Sequence, residues 1–353
     1  MKWERKKVSE VCELAYGKSL IADSRIPGDY PVYGSAGEVG THTNYLIEGP
    51  GIIIGRKGSV GTVYYEKRNF FPIDTTYYVI PKEGNDLRFL YYKFQTLGLN
   101  KLNSDAAVPG LNRNVAYEQS SFYPPLPIQR KIASILSAYD DLIENNLKRI
   151  KLLEEKAFLR YKQIVREEKF SQKAFNEVAD YINGYPFKPE DWKNEGLPII
   201  KIKELKAGVQ NDTPRNDGEN IPEKYFIENK DILFAWSASI GAYLWCSGKS
   251  ILNQHIFKVK PFDKDFHNWL YFSLLEKIPD FINLSNGATM QHIKKSALGM
   301  VYLPVPPKKI YQEFQKETEP ILNLVVNLNQ QNTKLREARD ILLPKLMNGE
   351  IEV

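Results

Sequence analysis

Residues 48–61 read EGPGIIIGRKGSVG, and residues 228–241 read ENKDILFAWSASIG. Apolar and small side chains stay in step through both stretches, with Ile52-Ile53-Ile54 over Ile232-Leu233-Phe234 and Gly61 over Gly241. The correspondence continues in order along the chain. Val79 and Pro81 fall on Val259 and Pro261, Phe89-Leu-Tyr-Tyr92 on Trp269-Leu-Tyr-Phe272, and Pro124 and Pro127 on Pro304 and Pro307. Nearer the start the offset is about 167, where Glu10-Val11 and Gly17 meet Glu177-Val178 and Gly184. A period of about 180 residues is too long for a solenoid and suits two related domains. The extra residues of the second copy are expected around the polar stretch Asn211 to Asn220, which reads as a loop.

Each copy has two parts. The first holds short β-rich runs (Gly51 to Ile54, Thr62 to Tyr65, Tyr77 to Ile80; Ile199 to Ile202, Ile232 to Phe234, Ile256 to Val259) broken by Gly, Asn and Pro. One helical run follows, Leu87 to Leu97 or Trp269 to Glu276. The second part opens with prolines, which the first helical turn tolerates, and continues for about 40 residues as a helix. In the first helix, Ile132, Leu136, Tyr139, Ile143, Asn146, Ile150, Leu153, Ala157, Arg160 and Ile164 alternate spacings of four and three and form one stripe. In the second, Ile321, Val325, Leu328, Asn332, Leu335, Arg339, Leu342 and Leu346 do the same until Pro344 interrupts the last turn. Asn146 and Asn332 read either as register pins in an apolar seam or as the plain edge of a narrower apolar face.

The expected fold class is therefore α+β, with two mixed α/β globules separated by two long helices that pair as an antiparallel coiled coil, giving a dumbbell with an internal pseudo-twofold repeat. Residues 1–126 form the first globule, 127–169 the first helix, 170–305 the second globule, and 306–353 the second helix and tail. A helix of about 40 residues spans roughly 60 Å at 1.5 Å per residue.

Composition narrows the function. With 353 residues, 42% hydrophobic and 26% charged, the chain is an ordinary globular one of about two domains. No apolar run approaches the roughly 20 residues of a membrane span, and MKWERKK is not followed by a secretory h-region, so no membrane association is expected. Cys12 and Cys246 are the only cysteines, too few for a disulfide scaffold or a four-cysteine zinc site, which fits a reducing cytoplasm.

Catalytic signatures are missing. The Gly-Lys-Ser tripeptides at Gly17 and Gly248 have Cys12 and Tyr243 where a phosphate-binding loop needs its first glycine. Gly55, Gly58 and Gly61 sit between β-rich runs and read as a turn or a close backbone approach rather than a nucleotide fingerprint. The histidines His42, His255, His267 and His292 are scattered, with no metal-ligand partner three or four residues away. Asp140-Asp141 and Glu154-Glu155 lie on the heptad helix, where a solvated face explains them. The chain is expected to be non-catalytic and to bind no cofactor.

Two variable globules alternating with two long helices, and the closing run Leu342-Leu-Pro-Lys-Leu-Met-Asn-Gly-Glu-Ile351, resemble the specificity subunits of type I restriction-modification enzymes over essentially the full length. Pro124-Pro-Leu-Pro-Ile-Gln-Arg-Lys-Ile132 resembles that family's opening of its first helical region, and Val108-Pro-Gly-Leu-Asn-Arg113 the segment leading to it. Where the family often has Glu-Gln after the prolines, this chain has Ile128-Gln129 and Lys308-Lys309. The resemblance implies that each globule is a target-recognition domain reading one half of a split, asymmetric sequence in double-stranded DNA. It also implies that the helices space the halves and dock two modification (methyltransferase) subunits, to which restriction (nuclease and translocase) subunits are added. S-adenosylmethionine, ATP and magnesium would belong to those partners.

Base readout needs donors and acceptors that fit base edges, and phosphate contact needs Lys, Arg or backbone amides. In the first globule the candidates are Lys18 beside Gly17, the glycine-flanked Arg56-Lys57, Thr75-Thr76 and Asn112-Arg113-Asn114. Corresponding places in the second carry Tyr185, Trp236-Ser237, Gln254-His255, Gln291-His292 and Lys294-Lys295. Matched positions with different polar chemistry are what readers of two different half-sites would show. The plainer alternative makes Trp236 and Thr75-Thr76 core or β-surface residues and the lysines ordinary solvated charge. Two further functions fit the same heptads: a coiled-coil scaffold or adaptor whose globules bind other proteins, and a stand-alone DNA-binding protein. The net charge of +5 divides into +2 for residues 1–126, +3 for 127–169 and zero for each remaining segment. A neutral second globule is expected to bind DNA weakly outside a complex.

Overall fold

The computed structural model describes residues 3–102, 110–285 and 292–353 of the chain. These form two compact units, one of residues 1–141 with 335–353 and the other of residues 142–334.

In the first unit, strands Cys12–Tyr16, Thr76–Pro81, Gly51–Gly55 and Val63–Glu66 make an antiparallel sheet in that spatial order. A smaller sheet of Gly37–His42, Tyr30–Gly34 and Phe71–Pro72 ends in a parallel pair. The run Ile52-Ile53-Ile54 is apolar at every position because both faces of its strand are covered. Ile52 and Ile54 face a core with Leu14, Tyr77, Val79 and the helix Leu87–Thr96, whereas Ile53 faces Tyr33 and Phe70. Asp86 caps that helix, its carboxylate accepting from Phe89 N at 2.8 Å. A ribbon of Glu4–Lys7 and Ser120–Tyr123 joins the chain's start to the end of its globule.

The second unit repeats this plan. Its main sheet has the order Ala179–Asn183, Ile256–Pro261, Ile232–Ala235, Gly241–Leu244, again antiparallel, and Ser171–Ala174 with Tyr302–Val305 forms the equivalent ribbon. Ile232 and Phe234 enter one core and Leu233 another, as Ile52, Ile54 and Ile53 do. The smaller sheet has the order Arg215–Asn216, Leu197–Ile200, Ser250–Leu252, Phe226–Ile227, with the central pair parallel. Insertion occurs on both sides of Arg215–Asn216. The helix Ile202–Ala207 precedes that strand, so part of the extra length begins upstream of the expected Asn211 to Asn220 loop. Ile202 opens this helix instead of closing the preceding strand.

The long helices run from Leu126 to Glu167 and from Lys308 to Asn348. Every residue of the two heptad stripes is buried or half-buried. Within the first unit, Ile132 and Leu136 share a core with Leu346 and Met347, and Arg339 Nη1 donates to Asp140 at 2.6 Å. Within the second, Ile150 packs with Val325 and Leu328, and Arg160 Nε donates to Glu317 at 2.9 Å. Each step forward on one helix meets a step back on the other, so the pairing is antiparallel. The arginine in each stripe thus finds a carboxylate on the opposite helix. Prolines 320 and 344 both lie inside the second helix, so Pro344 does not interrupt it. An interior proline removes one hydrogen bond and costs about 3 kcal/mol. Packing of Leu342, Leu346 and Met347 against the first unit's core offsets that loss. In the second unit Tyr161, Trp269, Phe272 and Phe314 interlock, with Trp269 Nε1 donating to the Pro304 carbonyl at 2.8 Å. Rings buried this fully contribute about 2–3 kcal/mol each.

Candidate nucleic-acid interface

The two globules build one backbone frame at the same edge of the main sheet. Gly17 N donates to Thr76 O and Lys18 N to Pro72 O, and in the second globule Gly184 N donates to Ile256 O and Tyr185 N to Leu252 O. A Cβ on Gly17 would lie 2.1 Å from the Ile73 carbonyl oxygen, and one on Gly184 would lie 2.2 Å from that of Asn253. Glycine is required at both positions because the backbones touch there. Arg56 N donates to Thr75 O and Leu111 N to Arg56 O, matched by Trp236 N to His255 O and Ile293 N to Trp236 O. Isolated bridges complete the frame, Lys57 with Gly110 and Ser237 with His292. Gly58 and Gly61 take positive φ, 82° and 71°, as the turn reading of that glycine run expects.

On this frame the first globule places a cleft of about 310 Å3 lined by Arg56, Lys57, Asn112, Arg113 and Asn114 together with Tyr16, Tyr77 and the backbone of Gly110 and Leu111. Among the described residues, its lining contains three cations and no carboxylate. The Arg113 guanidinium lies 4.9 Å from the Tyr16 ring centre and 5.9 Å from that of Tyr117, and that of Arg56 lies 5.3 Å from the Tyr16 ring centre. Arg56 is also fastened to the Asp74 carbonyl through Nε at 3.0 Å and Nη2 at 2.5 Å. Asn112 caps the short helix Arg113–Glu118, its Oδ1 accepting from Asn114 N at 2.8 Å, which fixes where Arg113 starts. Tyr77 donates its hydroxyl to Leu111 O at 2.9 Å, and burial, with Tyr16 beside it, pushes that hydroxyl up to about 12. Lys18 is exposed and is not among the residues lining the cleft, and half-buried Thr75 supplies its carbonyl to the frame. Thr76 is corrected: it is fully buried and its hydroxyl donates to Ile73 O at 2.8 Å, so it faces the protein and not a ligand.

The same edge of the second globule has different chemistry. Trp236 takes the place of Arg56, and its Nε1 donates to Asn183 Oδ1 at 3.1 Å, with Asn183 standing where Tyr16 stands in the first. The indole lies 5.5 Å from the His255 ring and 6.2 Å from that of His292. Ser237 Oγ and His292 Nδ1 are 2.9 Å apart, so this buried hydroxyl is already engaged. Tyr185 belongs to a separate aromatic group with Phe187 and Tyr225. Gln254 is half-buried and His255 exposed, while Lys294 and Lys295 are exposed at the start of the turn Lys295–Gly299. Gln291 lies outside the described residues.

Sequence reasoning did not single out Tyr16, Tyr77, Tyr117 or Asn183. The available signal was adjacency: Tyr16 and Asn183 directly precede the matched glycines Gly17 and Gly184 and differ between the copies. On the helices, Asn146 Nδ2 donates to Asn332 Oδ1 at 3.0 Å, both side chains being buried. Among the described residues no helix is long and apolar enough to cross a membrane, and no group of three or more His, Cys, Asp or Glu is placed to hold a metal ion.

The internal repeat has a counterpart among known proteins. The profile of the type I restriction modification DNA specificity domain matches residues 1–155 and again residues 167–338. The chain belongs to the type I restriction-modification specificity family. It is 25% identical over 319 residues to the MjaIX specificity subunit of Methanocaldococcus jannaschii, covering 78% of this chain and 71% of that protein. The EcoBI specificity subunit of Escherichia coli is 25% identical over 185 residues, covering 50% of this chain and 38% of that one. The fold is also similar to the crystal structure of a type I restriction-modification S subunit from M. genitalium, with a TM-score of 0.63 at 17% identity over 98% of this chain and 96% of that one. The two profile matches of the specificity family fall on the two halves of the internal repeat, so each globule with its helix is one family unit.

Proposed function

We propose that this chain is the DNA-reading subunit of a type I restriction-modification complex. Each globule reads one half of a split, asymmetric target, and the paired helices set the gap between halves and dock two modification subunits. Restriction subunits join that assembly. S-adenosylmethionine, ATP and magnesium act on the partners, in the cytoplasm where the DNA lies, and this chain performs no bond-breaking. The carrying observation is the matched frame with unmatched chemistry: Arg56 and Arg113 over Tyr16 in one globule, Trp236 with Asn183 and His292 in the other. A cleft whose described lining holds three cations and no carboxylate suits the phosphates and acceptor-rich base edges of DNA, and divergent side chains on one frame suit two different half-sites. The exposed Lys18 and Lys57 of the first globule and Lys294 and Lys295 of the second suit phosphates. Asn112, Asn114, Tyr185, Gln254, Gln291 and His255 stand as further base or sugar contacts. Asn146 and Asn332 set the register of the helices. The test is to mix the chain with its candidate modification subunits and S-adenosylmethionine and to map methylated bases by sequencing. A split motif methylated only when this chain is present supports the reading; methylation independent of it, or none, refutes it.

A further inference from the structure

We infer that the half-site read by the first globule contains a guanine recognised by Arg113, and that the second globule reads its half without an arginine at the equivalent place. This rests on the DNA-reading role proposed above. A guanidinium carries five donors in a fixed plane and no acceptor, so its best partner offers two acceptors side by side. In the major groove that pattern belongs to guanine O6 and N7.

The two arginines of the first cleft differ in what they have left to give. Arg56 has already used Nε and Nη2 on the Asp74 carbonyl and is a fixed wall. Arg113 makes no hydrogen bond and no ion pair among the described residues, and its buried Nε is without a partner. What holds it is the ring faces of Tyr16 and Tyr117, which orient a cation through their electron-rich faces without consuming its N–H groups. The backbone beneath it is set by the Asn112 cap. A half-buried, ring-clamped fork of unused donors is prepared for a planar acceptor pair. Exposed lysines such as Lys57 and Lys18, with flexible stems and a point charge, suit phosphates instead.

The second globule lacks this device. Ile293 occupies the frame position of Leu111, and the residues that follow are Lys294 and Lys295 where the first globule has Asn112 and Arg113. Trp236 stands in place of Arg56, and Asn183 in place of the clamping Tyr16. No arginine lines that edge among the described residues, so its discrimination falls to indole, imidazole and amide groups.

The experiment uses the full chain with its modification subunits and S-adenosylmethionine, comparing methylated motifs for the unaltered chain, Arg113→Ala and Arg113→Lys. The expected motif has an invariant guanine in one half. Arg113→Ala lowers the preference for guanine at that one position by roughly 10- to 100-fold, the value of a bidentate base contact. Arg113→Lys, which keeps the charge and loses the fork, lowers it too, and the unchanged second half of the motif shows that both variants are folded. A uniform fall in methylation with the guanine preference intact makes Arg113 a phosphate contact and overturns the inference alone, as does a motif with no guanine affected. Absence of any split motif with the unaltered chain overturns the DNA-reading role, and the inference with it.

Discussion

Replacing the paired asparagines with leucine tests what the polar step in the helix seam does. Asn146 Nδ2 donates to Asn332 Oδ1 at 3.0 Å, Asn332 is fully buried, and its own Nδ2 has no partner among the described residues. The two single variants are therefore unequal. Asn332→Leu strands the Asn146 donor but removes an amide that was already unsatisfied, a net loss of about 1 kcal/mol, since a buried orphan costs about 1–3 kcal/mol. Asn146→Leu strands the oxygen of Asn332 beside a nitrogen that was already without a partner, one new orphan with nothing removed in exchange and a loss of about 1–3 kcal/mol on the same basis. The double variant carries no orphan and replaces a polar pair by leucines of the same branched shape, so it is about as stable as the parent or more so. The cycle thus gives a coupling of at least about 2 kcal/mol between adjacent residues. Urea unfolding followed through the unit of residues 142–334, which holds both asparagines, reads these differences as shifts in midpoint at constant slope. Additive losses, or an Asn332→Leu variant weaker than Asn146→Leu, would refute the hydrogen-bond account of the seam.

Lys93 supplies a pH prediction. Its ammonium is buried in the first unit, donates to the Met347 carbonyl at 2.8 Å and faces the rings of Trp3 and Tyr123, and burial lowers its pKa to about 8. Between pH 8 and the ordinary lysine value of 10.5 the unfolded chain holds a proton that the folded chain has released, so stability rises with pH. Relative to Lys93→Met, the first unit gains about 1–2 kcal/mol from pH 7 to 9.5 in denaturant titrations, and a flat difference contradicts this. Gly17→Ala and Gly184→Ala each lose at least about 2 kcal/mol, because the new methyl meets backbone oxygen, and each melts only its own unit early in thermal scans. The isolated chain binds its target weakly at physiological salt and gains affinity steeply as salt is lowered; tight, specific binding by the chain alone in a filter or fluorescence titration contradicts the charge partition.

Much of the architecture follows from the one-dimensional pattern. Ordered matches about 180 residues apart expose the repeat because both copies must keep the same core positions. Heptads expose the helices because a stripe facing a partner has to recur every three or four residues, and every stripe position is at least half-buried. The frame glycines Gly17 and Gly184 were visible as matched residues, since no side chain fits where two backbones touch.

Other features depended on contacts between residues far apart in sequence. Local pattern marks Pro344 as a breaker, but packing of Leu346 and Met347 against the first unit's core keeps the helix intact to Asn348. Thr75 and Thr76 look alike in sequence, yet strand alternation and the Ile73 carbonyl turn Thr76 inward. Asn332 was legible as a polar interruption, while its partner Asn146, 186 residues away, was fixed only when the antiparallel pairing aligned the two. The cleft itself is tertiary: Tyr16, Arg56, Tyr77 and Arg113 come from separate segments, and only the sheet and a capped helix bring the guanidinium groups onto the tyrosine rings. Sequence alone determined the repeat, the helices and the residue types available for recognition, because these are set by local periodicity and matched positions. Which of those residues face a ligand was decided by the fold, because burial and hydrogen-bond partners are properties of the packed chain.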